Sequence, residues 1–305
     1  MTVHVPILVE PIVKGLTEPL AKLGPDAESQ WLVDCTLGGG GHTGALLEAL
    51  ASEPALTRHK VLSVDQDAGA ISRARSRFER ELAQGRLELL HARFSEISPA
   101  LEGRVVGGLM ADLGFSSDQI EDAERGLSFR SDGPLDMRLD PSRGASCRDW
   151  LRQVSESELK QVLSEYGEER YSGRIAAAIK RAQAQGALET TRQLAETVER
   201  AVPPPARHGR IHAATRTFQA LRIAVNEELN ELDALLSRVI LSVRPGGRVA
   251  ILSFHSLEDR RVKSEFKRRE GPFEQITKKP IEADELEVQR NPRSRSAKLR
   301  IAERI

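Results

Sequence analysis

The stretch Trp31 to Leu47, WLVDCTLGGGGHTGALL, decides how the chain is read. A short apolar run ends at Asp34, four consecutive glycines follow at Gly38 to Gly41, and His42-Thr43-Gly44 leads into residues with helical spacing. The order is strand, tight turn, helix N-terminus. Glycine permits φ > 0 and lets a ligand rest on the backbone, while the helix behind it aims unpaired N–H groups at the same place. A merely flexible glycine loop would carry a heavy ordering entropy at such a junction, so the stretch reads as a small-molecule site. Cys35, inside it, reads as a small buried filler and not as a nucleophile.

Working outward, the same alternation continues. Leu32 to Thr36 is the first strand, Thr43 to Leu50 a helix, and Val61 to Val64 a second strand ending at Asp65. The spacing then predicts a helix over Ala68 to Leu82, a third strand over Arg86 to Leu90 and a fourth over Gly107 to Leu113, which carries Asp112 near its end. Strands and helices in alternation, with carboxylates at strand C-termini, predict a parallel α/β sheet whose ligand crevice lies at those ends. After Ser117 the character changes. Gly126 to Pro141 reads as an ordered loop, and helices follow: one capped by Ser155 and Glu158 and stopping at Gly167, one over Glu168 to Gln185, and one over Thr191 to Val202 before three prolines. A long helix over Ala213 to Val243, a turn at Pro245-Gly246-Gly247 and a strand over Arg248 to Phe254 return to the sheet. Phe273 to Thr277 and Lys298 to Ala302 are the last strands, the second patterned as a half-exposed edge, with the basic loop Asn291 to Ser296 between them. The expected organisation is a sheet domain from 1–118 and 220–305, interrupted by an all-helical domain over 119–219.

Composition narrows the class. The 305 residues are 39% apolar and 30% charged, which reads as a soluble, globular chain. Prolines and Glu10 interrupt the apolar N-terminus, which lacks a basic leader, and no run is long enough for a bilayer span, so a cytoplasmic protein is expected. Two cysteines make neither a disulfide framework nor a zinc site, and no metal is expected. The formal net charge is zero, yet Arg260 to Ile305 holds 14 Lys/Arg against 8 Asp/Glu, a surplus that fits a localised phosphate footprint or a solvated surface.

The glycines satisfy G-x-G-x-x-G at Gly39, Gly41 and Gly44, and Asp65 stands where a ribose-binding acid belongs, so a nicotinamide dinucleotide is one reading. Asp34 and Asp112 argue against it. A pyrophosphate would meet like charge there, whereas the amino group and sulfonium of S-adenosylmethionine are cationic. Each Asp alone could equally cap a following turn.

Seven ordered motifs carry a resemblance: Asp34 to His42 (DCTLGGGGH), Asp112 to Ser117 (DLGFSS), Asp122 to Asp140 (DAERGLSFRSDGPLDMRLD), Tyr166 to Tyr171 (YGEERY), Thr215 to Arg222 (TRTFQALR), Ser253 to Arg260 (SFHSLEDR) and Asn291 to Arg300 (NPRSRSAKLR). Together with HVPILVE from His4, they resemble the bacterial ribosomal RNA small-subunit methyltransferase H, or MraW, family over nearly the whole chain. The resemblance implies a class I methyltransferase (Rossmann-like) doubly wound sheet with an inserted helical domain. It also implies S-adenosylmethionine-dependent methylation of the exocyclic N4 amine of a cytosine in the decoding region of small-subunit (16S) ribosomal RNA. Cofactor contacts carried over by position fall on Gly40, Gly41, His42, Asp65, Phe94, Asp112 and Gln119. Without the resemblance, Phe94 would read as core packing, Gln119 as a polar surface residue and His42 as a helix N-terminal polar group. The chain departs from the family at Gly39, where Arg is frequent, at Ala213, where Pro is usual, and in a short Gly271 to Gln289 segment.

Cytosine N4 is a poor nucleophile because its lone pair is delocalised, and an acceptor for one N4–H would localise that pair. Asp112 or a nearby carbonyl is the candidate acceptor, with pure cofactor binding as the competing role of Asp112, and Phe115 is the candidate neighbour of the base; His255 is a third candidate, with helix capping as its competing role. Arg130, Arg138, Arg216, Arg222, Arg293, Arg295 and Lys298 are the candidates for holding RNA, each also readable as a solvated charge. The expected partner is small-subunit ribosomal RNA or a ribosomal particle, with no membrane; the oligomeric state, a homodimer included, is open. Two alternatives stand beside this reading: an NAD-dependent oxidoreductase, and a non-catalytic RNA-binding assembly factor.

Overall fold

The computed structural model describes residues 6–24, 26–207 and 211–305, so the first two residues of the HVPILVE motif lie outside it. The chain divides into two compact units, Met1–Gly114 with Asn230–Ile305, and Phe115–Leu229, the second reaching beyond the expected 119–219 at both ends.

The first unit is a seven-stranded sheet, β1 (Trp31–Asp34), β2 (Lys60–Asp65), β3 (Leu87–His91), β4 (Val106–Asp112), β5 (Val243–Ser253), β6 (Phe273–Gln275) and β7 (Lys298–Arg304), in the order β3-β2-β1-β4-β5-β7-β6. The pairs from β3 to β5 are parallel, and β7 runs antiparallel to both of its neighbours. Parallel register therefore brings Asp34, Asp65 and Asp112 to one end of the sheet. Alternate residues of each strand feed two apolar cores: Val33, Leu109, Ala111, Val249 and Ile251 on one face, and Leu32, Met110, Ala250 and Leu252 on the other. The period of two in strand side chains sets this division.

Several sequence expectations change here. A helix α1 (Val9–Ala21) fills a segment in which no element was expected. Its prolines are the reason: Pro11 sits in the first turn, where amides have no intrahelical partner, and Pro19 cannot donate to the Gly15 carbonyl, which Arg248 Nη1 reaches instead at 3.3 Å. The turn Pro245-Gly246-Gly247 does not precede a strand but bulges within β5, where the register to β4 jumps from Val106↔Val243 to Gly108↔Arg248. The β7 strand is not an edge. It lies between β5 and β6, and its Arg300, 4% exposed, is held by Asp259 through Nε–Oδ1 and Nη2–Oδ2 contacts of 2.7 and 3.1 Å.

Two expected helices are broken. After α2 (Gly41–Ser52), the segment from Ala68 forms α3 (Ala68–Arg77) and then stops at Phe78, whose φ of −115° leaves the helix and whose ring buries against the glycine turn.

The second unit packs α4 (Cys147–Gln153), α5 (Glu156–Glu165), α6 (Ser172–Ala184), α7 (Thr191–Ala201) and α8 (Thr215–Val225) around one core that includes Leu151, Leu159, Ile175, Leu194 and Leu221. Capping boxes start α5 (Ser155 with Glu158) and α7 (Thr190 with Gln193), as their sequences dictate. The Lys180 ammonium closes α4 by donating to the carbonyls of Leu151 and Val154 at 2.6 and 2.7 Å. The long helix expected over Ala213 to Val243 is α8, then α9 (Glu228–Ser237), then a 3-10 turn at Val239–Ser242. Glu227, with φ of 53°, breaks it between α8 and α9.

Candidate functional site

The glycine turn is built by its flanks. Leu37 N–H bonds to Val64 O and Gly40 N–H to Leu37 O, at 2.9 and 2.7 Å, which folds the turn over the end of β2. Gly40 has φ of +76°, and a Cβ on it would lie 2.8 Å from the Phe78 ring. A Cβ on Gly41 would lie 2.8 Å from Pro6. At these two positions the missing side chain makes room for the protein's own N-terminal segment and for Phe78, a reason the sequence did not disclose. The first bond inside α2 runs from Gly44 N–H to Gly40 O, 3.0 Å, so the amides of Gly41, His42 and Thr43 are the helix's unpaired N-terminal donors.

Asp34 does not face a ligand. It is fully buried, and it accepts from the Thr43 hydroxyl (2.7 Å) and from the Thr36 amide and hydroxyl (3.0 and 3.4 Å). Thr43 in turn contacts the Ser63 hydroxyl at 2.7 Å, and Thr36 Oγ1 accepts from the Asp112 amide at 2.6 Å. Asp34 is thus the hub that locks β1, β2, β4 and α2 together. This corrects the expectation that its charge meets a cationic ligand. Thr36, Thr43 and Ser63 were not foreseen, because single hydroxyls on strands and helices carry no pattern.

Two carboxylates remain at the sheet end. Asp65, half-buried, accepts from Gly38 N–H (2.7 Å) and Asp67 N–H (2.8 Å), one on each oxygen, and burial raises its pKa to about 6 against those two bonds. Each oxygen keeps a lone pair for a hydroxyl donor. Asp112, its side chain 16% exposed, is also raised to about 6, chiefly by burial, with His42 opposing and Asp34 and Glu258 adding like charge. His42 Nε2 lies 2.9 Å from Ile7 O and Nδ1 3.6 Å from Asp112 Oδ2. Phe94 stands in a 3-10 turn after β3, half-buried against the core.

His255 takes the capping role. It is the N-cap of α10 (Ser256–Phe266), whose Glu258 accepts the backbone amides of Phe254 and His255 at 2.9 and 3.3 Å, while the ring Nε2 lies 3.1 Å from the other Glu258 oxygen. Glu258, 4% exposed, is an acid beside Asp112 that sequence reading missed.

Gln119 belongs to the second unit, where its side chain accepts from Ser116 N–H at 2.9 Å in a capping box. Two of the expected RNA-holding cations have other work there. The Arg138 guanidinium is bidentate to Asp136 (2.8 and 2.7 Å), and that of Arg222 is bidentate to Glu228 (2.7 and 2.8 Å). That pairing sets Arg138 and Arg222 apart from the exposed cations among the candidates. Arg130, Arg216, Arg293 and Arg295 are exposed, and Lys298 is half-exposed with its ammonium 3.9 Å from Asp259.

A sheet ordered 3-2-1-4-5-7-6 with an antiparallel seventh strand, a glycine turn after β1 and acids at the ends of β2 and β4 define a class I S-adenosylmethionine-dependent methyltransferase. The family model described as the MraW methylase family matches residues 1–305, and the chain belongs to that family. Proteins named ribosomal RNA small subunit methyltransferase H are 47% identical in Synechococcus sp. (strain JA-2-3B'a(2-13)), over 94% of this chain and 89% of that one, and 48% identical in Sorangium cellulosum, over the same shares. A crystal structure of an rRNA methylase from Streptococcus thermophilus matches with a TM-score of 0.40 at 12% identity, covering 94% of this chain and 93% of that one. Membership in a methyltransferase family removes the NAD-dependent oxidoreductase and the non-catalytic assembly factor. No helix among the described residues is long and apolar enough to cross a membrane.

Proposed function

We propose that this methyltransferase acts on small-subunit (16S) ribosomal RNA and transfers the methyl group to the exocyclic N4 amine of a cytosine in its decoding region. The observation that carries the chemistry is Asp112: a carboxylate at the end of β4 whose pKa of about 6 leaves it ionised yet basic at neutral pH. The RNA substrate is supported by the names of relatives matched over 89% of their length.

S-adenosylmethionine, when bound, supplies a methyl group made electrophilic by its sulfonium. The donors and acids described fit such a group: the amides of Gly41, His42 and Thr43 for its carboxylate, Asp65 for ribose hydroxyls and Phe94 for an adenine face. Gly40 belongs to the turn that shapes this cradle, and Gln119 is assigned to the same ligand through the family motif. Asp112 accepts one N4–H, which localises the nitrogen lone pair, and it receives the proton as positive charge develops on N4. Phe115, three residues after Asp112, packs on the cytosine ring. His255 acts through its cap and does not touch the base. Arg130, Arg216, Arg293, Arg295 and Lys298 hold the RNA backbone while the base leaves its stack, a cost of about a few kcal/mol unless the base is already unpaired. A ribosomal particle, a cytoplasmic site of action and a homodimer are the finer parts of the reading.

Labelled-methyl transfer to unmodified small subunits, naked RNA and DNA, with the modified nucleoside identified, is the test. Label in N4-methylcytidine from small-subunit RNA is expected. Label on a ring nitrogen or carbon, or none in RNA, overturns the reading.

A further inference from the structure

Arg222 is 9% exposed near the C-terminal end of α8, yet it is no free cation. Its guanidinium is gripped on one side by Glu228, with Nε–Oε1 and Nη2–Oε2 distances of 2.7 and 2.8 Å, and its central carbon lies 4.4 Å from the centroid of the Phe115 ring. A bidentate carboxylate fixes the plane of a guanidinium, and a plane so fixed constrains the ring stacked on it. Replacing such a buried pair by apolar residues often leaves stability unchanged or improves it, so stability alone is a weak reason for the pair. One turn further on, Asn226 accepts from Leu139 N–H at 2.7 Å and donates to Met137 O at 2.8 Å, which ties the Asp136 to Asp140 loop to the same helix end. The end of α8 therefore holds both an aromatic ring and a loop of the helical unit in set positions.

We propose that Arg222 is a positioning residue for methyl transfer: held by Glu228, it orients Phe115 for stacking on the target cytosine. The inference rests on the reading of Phe115 as the neighbour of the base. Arg222 itself touches neither RNA nor cofactor. Lysine in its place keeps the charge and loses the plane, so it separates orientation from electrostatics.

The test uses the full chain, unmodified small subunits and four variants: Phe115→Leu, Arg222→Lys, their combination, and Lys180→Met as a control that loosens the helical unit at α4. Phe115→Leu and Arg222→Lys are each expected to lower kcat about tenfold, the scale of a desolvated cation–aromatic contact, with S-adenosylmethionine affinity unchanged. The double variant is expected to be no slower than Phe115→Leu alone, because the two act as one device. Lys180→Met is expected to lower Tm at least as far as Arg222→Lys with kcat retained. If Arg222→Lys fails to fold, Glu228→Gln, which keeps the shape and removes the charge lock, takes its place with an expected loss of about threefold. A normal kcat for Arg222→Lys beside an impaired Phe115→Leu overturns the inference and leaves the reading of Phe115 intact. Losses that multiply in the double variant, or a Lys180→Met loss of kcat in proportion to Tm, overturn it as well. A normal kcat for Phe115→Leu overturns the underlying reading and the inference with it.

Discussion

His42 Nδ1 lies 3.6 Å from Asp112 Oδ2 while its Nε2 lies 2.9 Å from the carbonyl oxygen of Ile7. A carbonyl can only accept, so Nε2 carries the hydrogen, and Nδ1 is left facing a carboxylate. The Ile7 carbonyl thus holds the ring of a histidine that opposes the rise burial imposes on the acid at the end of β4.

This predicts an acid limb in kcat/KM. Asp112 must be ionised to accept from N4, and burial has raised its pKa from 3.8 to about 6, so activity should climb as pH rises through about 6. The stability sign is opposite. The folded state binds the Asp112 proton more tightly than the unfolded chain does, so this group's contribution falls as pH rises from 3.8 to about 6. Asp112→Asn should abolish the acid limb and most turnover. In His42→Ala the opposing influence is gone while burial, Asp34 and Glu258 remain, so the limb should move to higher pH. A pH–rate profile of both variants checks this, and an unmoved limb in His42→Ala would remove the coupling.

The buried hub at Asp34 makes a second prediction. Thr43→Val leaves one Asp34 oxygen without its 2.7 Å partner and strips Ser63 of its contact at the same distance. Loss of a buried hydrogen bond to a charged group costs about 1–3 kcal/mol. Denaturant unfolding should show that loss, and calorimetric titration should show weaker S-adenosylmethionine binding, because the same threonine sits in the first turn of α2. Unchanged stability would mean that Asp34 finds another donor.

Gly40 and Gly41 should fail for different reasons. Gly40→Ala meets a left-handed backbone as well as the Phe78 ring, whereas Gly41→Ala meets chiefly Pro6. Adding Pro6→Gly should therefore restore cofactor affinity to Gly41→Ala and leave Gly40→Ala impaired. Equal rescue of both, measured by titration with S-adenosylmethionine, would sink this division of roles.

How much of this was readable in the chain differs by element. The strands β1, β2 and β4 are local apolar runs closed by Asp34, Asp65 and Asp112, and local pattern is what a sequence displays. The helix α1 was hidden because Pro11 and Pro19 look like breakers until the first-turn position of one and the Arg248 contact at Gly15 O are seen. The β7 strand looked like an edge because Arg300 looked solvated; Asp259, forty-one residues earlier, buries its charge. Asp34 was legible as important but not as a hub, since its partners Thr36 and Thr43 are brought together only by the turn. In each case the missing information was a tertiary partner.

Exposure separates Arg138 from the arginines proposed as RNA contacts. Arg293 and Arg295 are exposed in the 3-10 turn Pro292–Ser296, whereas Arg138 is bidentate to Asp136, 22% exposed, with its pKa raised by that pairing. Each phosphate neutralised adds about 0.7 to 0.9 to the slope of log affinity against log salt. Replacing Arg293 and Arg295 together by glutamine should therefore flatten the slope for small-subunit RNA by about 1.5 and weaken binding most at low salt. Arg138→Gln should leave the slope where it was, because its charge is already neutralised within the protein. Filter binding across a salt series measures both. A flattened slope for Arg138→Gln, or none for the Arg293 and Arg295 pair, would place the phosphate footprint on the helical unit and not on the turn before β7.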